Sequence, residues 1–442
     1  MNVLFISLGC DKNLVDSEMM IGMLTEKGYF ITDDETQAEA VVINTCCFIG
    51  DAKEESINTI LEMAELKKSG QVKALIVAGC LAERYREEIQ EEIEEVDAII
   101  GTASINAVVK ALDQALAGNR ANYFDPLDKA PVSGKKRAIT TGGHYAYLKI
   151  AEGCNKHCTY CIIPKVRGNY RSVPMEVLLT EAKQLAEGGV RELILVAQET
   201  TLYGVDLYGE KRLPVLLKEL AKIEDLKWIR LLYCYPEEIT DELIEIIKTE
   251  SKICHYLDIP IQSGCDKILK RMGRRTNREQ ITGLIEKLRE EIPDICIRTT
   301  FITGFPGETE EDHEETMEFV NAMEFDRLGA FAYSQEEDTP AAELPEQVEE
   351  ETKLRRQEEM MELQQEIAFE AAEEMTGKVL TVMVEGKIAD DDAYVTRTYK
   401  DAPGVDGYLF VRTRRSLMSG DFITVKVTGS HEYDLMGEPV EE

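Results

Sequence analysis

The chain has 442 residues, with 50 Lys and Arg against 84 Asp and Glu, a formal net charge of −34 at pH 7. With 44% hydrophobic residues it reads as a folded protein of about three domains, which excludes a disordered acidic tail. The charge also excludes a general affinity for phosphate backbones, which needs Lys and Arg to displace counterions, and it favours a basic partner.

No apolar run approaches the ~18–20 residues that span a bilayer. The start, MNVLFISLGC, lacks the basic region and cleavage site of a signal peptide. A cytoplasmic protein with no membrane partner is expected. Eleven cysteines in such a chain point to metal ligation or redox chemistry rather than disulfides.

Residues 1–130 read as α/β. Three apolar runs, VLFISL (3–8), AVVINT (40–45) and KALIVAG (73–79), each lead into a cysteine and then a helical pattern. Continuous apolar strands between helices imply a parallel sheet covered on both faces. DAIIG (97–101) fits the same open sheet, and the polar, Gly-containing PVSGKKRAITTGG (131–143) reads as a linker. From 144 to 374 the alternation resumes with AYLKIAE, ELILVAQ, WIRLLYC, YLDIPI, CIRTTFITG and RLGAFAYS. Six strands with helices between them predict a partial (β/α)6 barrel with its site at the strand C-termini. The charged stretch 345–375 predicts one solvated bridging helix. Residues 375–442 switch to short alternating strands and predict a small antiparallel β-barrel of the OB-like type.

The cysteines divide into two sets. EGCNKHCTYCIIP brings Cys154, Cys158 and Cys161 onto one short loop after a strand. Three thiolates there can hold three corners of a 4Fe-4S cluster, which usually takes four, and leave one iron open to substrate or cofactor. The alternative is a zinc site completed by His157, although structural zinc commonly uses paired CxxC knuckles. Cys10, Cys46 and Cys80 each follow a strand. Strand C-termini of an open parallel sheet share one edge, so the three thiols should converge at one rim and can hold a second cluster. The alternative is three unrelated small core residues. Cys47, Cys234, Cys254, Cys265 and Cys296 lack such spacing and read as core, with Cys47 adjoining a ligand position.

CNKHCTYC matches the CxxxCxxC signature of radical S-adenosylmethionine (SAM) enzymes. The whole chain resembles the methylthiotransferase family, with an N-terminal cysteine domain (1–130), a radical SAM domain (144–374) and a TRAM domain (375–442). SLGCDKNLVDSE, NTCCFI, GCLAERY, AEGCNKHCTYCIIPKVRG, VAQETTLYGVD, IRTTFITGFPGET and DAPGVDG fall in register with it. The first of these, with QETTLYGVD and DAPGVDG, looks most like the RimO-type branch, which methylthiolates the β-carbon of an aspartate in ribosomal protein S-twelve. PIQSGCD is closer to the MiaB-type branch, which modifies an adenosine of tRNA, and Cys47 stands where the family usually has Gly.

The resemblance implies two 4Fe-4S clusters, one on Cys154, Cys158 and Cys161 and one on Cys10, Cys46 and Cys80. It implies that SAM is chelated at the open iron of the first and cleaved by one electron, from a reducing donor, to a 5′-deoxyadenosyl radical. The second cluster would hold the sulfur to be transferred, and no acid–base residue beyond the cluster ligands is expected. The likeness also implies a cofactor pocket, with Tyr160 near adenine and Gln198 and Glu199 toward the methionine amino group. Arg298 lies on a strand facing core or cofactor. A buried guanidinium without a partner is costly, and the SAM carboxylate would serve.

GFPGET (304–309) lacks the Lys-Ser/Thr of a P-loop and reads as a tight turn. DKILKRMGRRTNR (266–278), with six basic residues, reads as a solvated helix face, the alternative being an RNA grip. His144, His255, His313 and His431 lack ligand spacing. From Met375 to Glu442 there are eight Lys and Arg against twelve Asp and Glu. That balance suits a basic protein substrate better than tRNA. The competing readings are therefore a tRNA methylthiotransferase and a zinc-stabilised RNA-binding protein without catalysis.

Overall fold

Strands β1 (Asn2–Ser7), β2 (Phe30–Thr32), β3 (Ala40–Thr45), β4 (Ala74–Gly79), β5 (Ala98–Ile100) and β6 (Ala121–Tyr123) build the N-terminal sheet of the computed structural model, which describes residues 1–389 and 391–440. All pairings are parallel, in the order β2-β1-β3-β4-β5-β6. Helices α1 (Asp11–Lys27), α2 (Gly50–Lys68), α3 (Cys80–Glu92) and α4 (Val108–Leu116) connect and cover it. β3 and β4 are buried along their whole length, as continuous apolar strands under helices must be. β2 and β6 were not foreseen: at the sheet edges they are partly exposed and lack the buried apolar run that marks β5.

The linker 131–143 has no regular structure, yet it is clamped. Arg137 is buried and donates to Glu18 at 2.5 Å and to Glu181 at 2.6 Å, from α1 and from the domain that follows. That domain contains β7 (Tyr145–Lys149), the two-stranded pair β8 (Ala151–Glu152) and β9 (Arg171–Ser172), then β10 (Glu192–Val196), β11 (Trp228–Leu231), β12 (Ile253–Asp258), β13 (Cys296–Thr303) and β14 (Arg327–Ala332). Apart from the β8–β9 pair, these form one parallel sheet with β7 and β14 at its edges, the six-stranded open barrel expected. Helices α5 (Ile163–Val166), α6 (Met175–Glu187), α7 (Val205–Tyr208), α8 (Leu213–Ala221), α9 (Asp241–Thr249), α10 (Asp266–Arg271), α11 (Arg278–Glu291) and α12 (Glu310–Met323) lie between the strands.

The charged stretch forms α13 (Glu350–Glu373). It packs along β13, β14 and α12, and its buried Arg356 donates to Glu308 at 2.9 Å. Charge on this helix is therefore partly structural rather than merely solvated. Ala372 and Met375 continue its line into the core of a closed barrel made by β15 (Val379–Lys387), β16 (Ala393–Thr398), β17 (Leu409–Arg412), β18 (Phe422–His431) and β19 (Asp434–Pro439). The barrel closes in the order β15-β16-β17-β19-β18, with β17–β19 its one parallel pair. β19, interrupted by Gly and ended by Pro, gave no strand signal in the sequence.

One apolar cluster runs through all three domains. It joins Met19 and Met20 of α1 to Tyr147, Ile194 and Trp228 of the open barrel and Met383 of the closed one. Burying each such side chain contributes about 1.5–3 kcal/mol relative to exposure. Among the described residues no helix is long and apolar enough to cross a membrane.

Candidate functional site

β1, β3 and β4 are neighbours in the first sheet, so the residues after them emerge at one edge. Thr45 pairs with Gly79, and Leu8 N–H donates to Asn44 O at 2.9 Å. Cys10, Cys46 and Cys80 follow from these ends. Gly79 has φ 95°, and a Cβ there would lie 2.5 Å from the Thr45 carbonyl oxygen, so only glycine lets the chain turn from β4 into α3. Cys80 is the first residue of α3 and Cys10 is the N-cap of α1. Both helices present their positive ends to the rim, which favours negative charge on sulfur. Asn13 Nδ2 donates to Leu8 O at 2.6 Å and Thr45 O at 3.1 Å, pinning two of the three loops. Cys10 is exposed, whereas Cys46 and Cys80 are buried. Burial pushes the Cys46 and Cys80 thiols up, and the Arg167 charge opposes it.

The second set lies after β8. Gly153, with φ 80°, turns the chain into the loop, and a Cβ there would come within 2.5 Å of the Gly168 carbonyl oxygen. Cys154 and Cys158 are buried and Cys161 is partly so. Burial pushes the Cys154 thiol up to about 11. Cys158 Sγ lies 3.7 Å from the Tyr235 hydroxyl and 3.9 Å from Arg274 Nη1. Arg274 is buried, stacks over Tyr235 and donates to Pro260 O at 2.7 Å. Lys156, also buried, pairs with Glu237 at 2.9 Å and with Glu238.

Neither triad is gathered tightly. Thiolates on one tetrahedral zinc sit about 3.8 Å apart. Among the described residues only Cys265, Asp312 and Glu315 bring three ligand atoms within 4.8 Å of one another. Those two carboxylates are already paired, Asp312 with Lys267 at 2.5 Å and Glu315 with Arg278 at 3.4 Å. His157 is exposed rather than turned in to complete a Cys₃His set. Neither triad therefore closes on a single zinc ion, and each set has a buried cation beside it, Arg167 at Cys80 and Arg274 at Cys158.

The cofactor-pocket residues fall in different surroundings. Glu199 is fully buried; its Oε1 accepts from Thr201 N–H at 3.0 Å, and its Oε2 has no hydrogen-bond partner, with Lys156 Nζ 3.8 Å away. Burial pushes its carboxyl up to about 7. A buried carboxylate oxygen without a hydrogen-bond donor fits a ligand ammonium. Gln198 is already engaged: its Oε1 accepts from Gly153 N–H at 2.8 Å and its Nε2 donates to Glu152 at 2.9 Å, so it holds the cysteine loop. Tyr160 packs edge-on against Phe305. Arg298 finds its carboxylates within the chain, Asp258 at 3.2 Å and Asp406 at 3.5 Å, so burial alone does not demand one from a ligand.

Sequence reasoning missed Arg167. It is buried, and its Nε donates to Cys80 Sγ at 3.2 Å, its Nη1 to Asp16 at 2.7 Å and Glu152 at 3.1 Å, and its Nη2 to Asn13 at 2.8 Å. Lys149 completes the node, pairing with Glu152 at 2.7 Å and with Asp16. Glu152 leads to Cys154 and Asn13 follows Cys10, so one ionic node backs both cysteine sets. The available signal was Asn13, Asp16 and Ser17 at i, i+3, i+4, a polar stripe on the buried face of α1. The basic run 266–278 is largely consumed internally. Lys267 and Arg278 are paired as above, Arg271 donates to Pro306 O at 2.8 Å and Arg274 lies against Cys158. His144, His255 and His313 pair with Glu385, Asp294 and Glu359. Cys47 is buried in the core beside the rim, and burial pushes its thiol up to about 12.

Comparison with known proteins covers the same three parts. Residues 2–101 match the family described as Uncharacterized protein family UPF0004, residues 148–320 the Radical SAM superfamily, and residues 376–440 the TRAM domain. The chain is 62% identical over 437 residues to the ribosomal protein uS12 methylthiotransferase RimO of Lachnoclostridium phytofermentans, covering 99% of each. It is 49% identical to the protein of that name from Clostridioides difficile, covering 99% of this chain and 98% of that one. Among solved structures it is similar in fold to the radical SAM methyltransferase TsrM of Kitasatospora setae, at TM-score 0.54 and 13% identity over 91% of this chain and 81% of that one. The cobalamin-dependent radical enzyme OxsB shares the fold at TM-score 0.54 and 14% identity, over 77% of this chain and 54% of that one. With its three parts matched in order and near-full-length identity to these relatives, the chain belongs to the RimO family of ribosomal protein uS12 methylthiotransferases.

Proposed function

We propose that this radical SAM methylthiotransferase acts on the β-carbon of an aspartate in ribosomal protein uS12, with 4Fe-4S clusters on Cys154, Cys158 and Cys161 and on Cys10, Cys46 and Cys80. The carrying observation is the Arg167 node, which touches Cys80 of one set and, through Glu152, backs the strand leading to the other. When bound, the clusters and SAM supply a carbon radical and a transferable sulfur, chemistry that no acid–base side chain provides. The chain's own part is placement and exclusion of water. Arg167, Arg274 and Lys156 offset negative charge at the sulfurs. Glu199 Oε2, which has no hydrogen-bond donor, is suited to the ammonium of the SAM methionine end. Tyr160 is assigned to the adenosine end and Gln198 fixes the turn at Gly153 that opens the cysteine loop, while Arg298 is spent on Asp258 and Asp406.

The net charge of −34 complements a basic ribosomal protein and guides its encounter. Internal contacts of Lys267, Arg271, Arg274 and Arg278, four of the six 266–278 cations, weaken the main feature that favoured RNA. A cytoplasmic setting with a low-potential electron donor completes the reading. Anaerobic purification should give brown protein with about eight irons per chain; colourless protein with stoichiometric zinc would overturn the two-cluster reading. Mass analysis of uS12 and of tRNA nucleosides from cells lacking the gene tests the substrate. Loss of the methylthio group from uS12 is expected, and loss from the nucleoside alone would refute it.

A further inference from the structure

The DAPGVDG segment (401–407) lies in the loop between β16 and β17, and its Asp406 reaches out of its own barrel into the open one. Asp406 Oδ2 accepts from Ala402 N–H at 2.8 Å, which shapes the loop, and from the Tyr256 hydroxyl at 2.7 Å, inside the open barrel. Its Oδ1 lies 3.5 Å from Arg298 Nε. Arg298 Nη1 donates to Asp258 Oδ1 at 3.2 Å, and Asp258 Oδ2 accepts the backbone N–H of Tyr233 at 2.9 Å. Tyr233 is a non-glycine residue at φ 60°, a conformation that side chains other than glycine enter at a cost and that its surroundings must enforce. Its hydroxyl donates to Asp11 Oδ2 at 3.1 Å, and Lys12 Nζ sits 3.2 Å over its ring. Asp11 and Lys12 immediately follow Cys10.

We propose that Asp406, in the C-terminal barrel, is a positioning residue for Cys10 in the N-terminal domain, acting through Arg298, Asp258 and Tyr233. Four contacts in series cross all three domains and end on the residue after the one exposed cysteine of the rim. Cys46 and Cys80 are held by burial, by Ser56 and by Arg167, whereas Cys10 has no such packing. Its place depends on Asn13 and on what holds Asp11 and Lys12. The closed barrel therefore sets where the third sulfur of the rim stands, besides whatever it does toward substrate. The inference rests on the two-cluster reading only for its consequence in catalysis; the coupling itself is a property of the protein alone.

Hydrogen exchange on metal-free full-length protein tests the coupling. Asp406→Asn should speed exchange of amides in residues 8–14 by about tenfold, the size expected when one charge-assisted hydrogen bond is lost. Amides of β18 should stay protected, showing the closed barrel intact. Tyr233→Phe cuts the last link without touching the closed barrel, so it should speed 8–14 and leave 398–409 unchanged. If residues 8–14 exchange as in wild type in both variants, the proposal falls; if Asp406→Asn unfolds the closed barrel, Tyr233→Phe decides alone. In loaded enzyme, Asp406→Asn should raise the ratio of 5′-deoxyadenosine released to methylthio product. An unchanged ratio would overturn the catalytic consequence. A wild-type enzyme that makes no methylthio product at all would instead sink the functional reading, leaving the exchange result standing.

Discussion

Replacing Arg167 by Met keeps the apolar stem of the side chain and removes the guanidinium. Asp16, Glu152, Lys149 and Arg167 form a charge-balanced set of two carboxylates and two cations, all buried. Without Arg167, two buried carboxylates share one ammonium, and Asn13 Oδ1 and Cys80 Sγ lose their donor. Breaking a buried ion set by deleting one partner costs about 3–5 kcal/mol, or roughly two to three and a half decades in the folding equilibrium. The pH dependence has a definite sign. Burial by itself raises the Glu152 carboxyl, and the Arg167 and Lys149 charges more than reverse this, holding it below its ordinary value of 4.5. A depressed native value contributes stability that is fully present above about pH 5 and lost only as pH falls through it. Wild type is therefore flat in this respect from about pH 8 to 5. In the variant one carboxylate is raised by burial instead, so the variant recovers stability as pH falls through that raised value. The penalty should be largest near pH 8 and shrink toward pH 5. Pulse proteolysis across a urea series on metal-free protein measures it, with Asp16→Asn and the double variant closing a cycle. A loss below about 1 kcal/mol at neutral pH, or a penalty constant over this range, would refute the argument that the node is a buried, mutually dependent set.

Cys10→Ala should lower iron from about eight to about four per chain, keep SAM cleavage and abolish sulfur insertion; equal loss of both in a folded protein contradicts the division between the two sets. Gly153→Ala should cost at least about 1–2 kcal/mol from the positive φ alone. It should also shift the loop bearing Cys154, read as loss of the SAM-responsive electron paramagnetic resonance signal with helix content unchanged. Glu192→Gln removes a carboxylate buried between Arg230 at 2.7 Å and Arg397 at 2.6 Å, across the contact of the two barrels. It should destabilise by about 3–5 kcal/mol, seen calorimetrically as a drop of several degrees; a midpoint within a degree of wild type argues against that lock.

Strands with long apolar runs were legible because burial on both faces leaves no other composition possible. AVVINT forms β3 over the very residues read from the sequence. The six strands of the open barrel were readable for the same reason, and so was the arrival of Cys10, Cys46 and Cys80 at one rim, since parallel strands all end along the same edge. Edge strands β2 and β6 were not, because FIT and ANY are partly exposed and lack the continuous apolar run that marks the equally short β5. Nor was the ionic node. Asp16 and Glu152 are ordinary surface residues by composition, and only docking of α1 against the second domain buries them together with Arg167. Charges that pair across domains are invisible to any pattern confined to one segment. The 266–278 run is the converse case: a stripe that composition reads as solvated is spent on contacts far away in sequence.

Helix α13 turns residue count into angle. Its 24 residues span about 36 Å at 1.5 Å each. They are fixed at one end by Arg356 on Glu308 and at the other by Ala372 in the next core. One residue inserted midway would rotate everything beyond it by about 100°, carrying Arg397 away from Glu192. Adding a whole turn would restore the phase yet displace the terminal barrel by about 5 Å, farther than any ion pair can stretch. The segment is a ruler: what it joins fixes the number of its residues as firmly as the identity of those at its two ends.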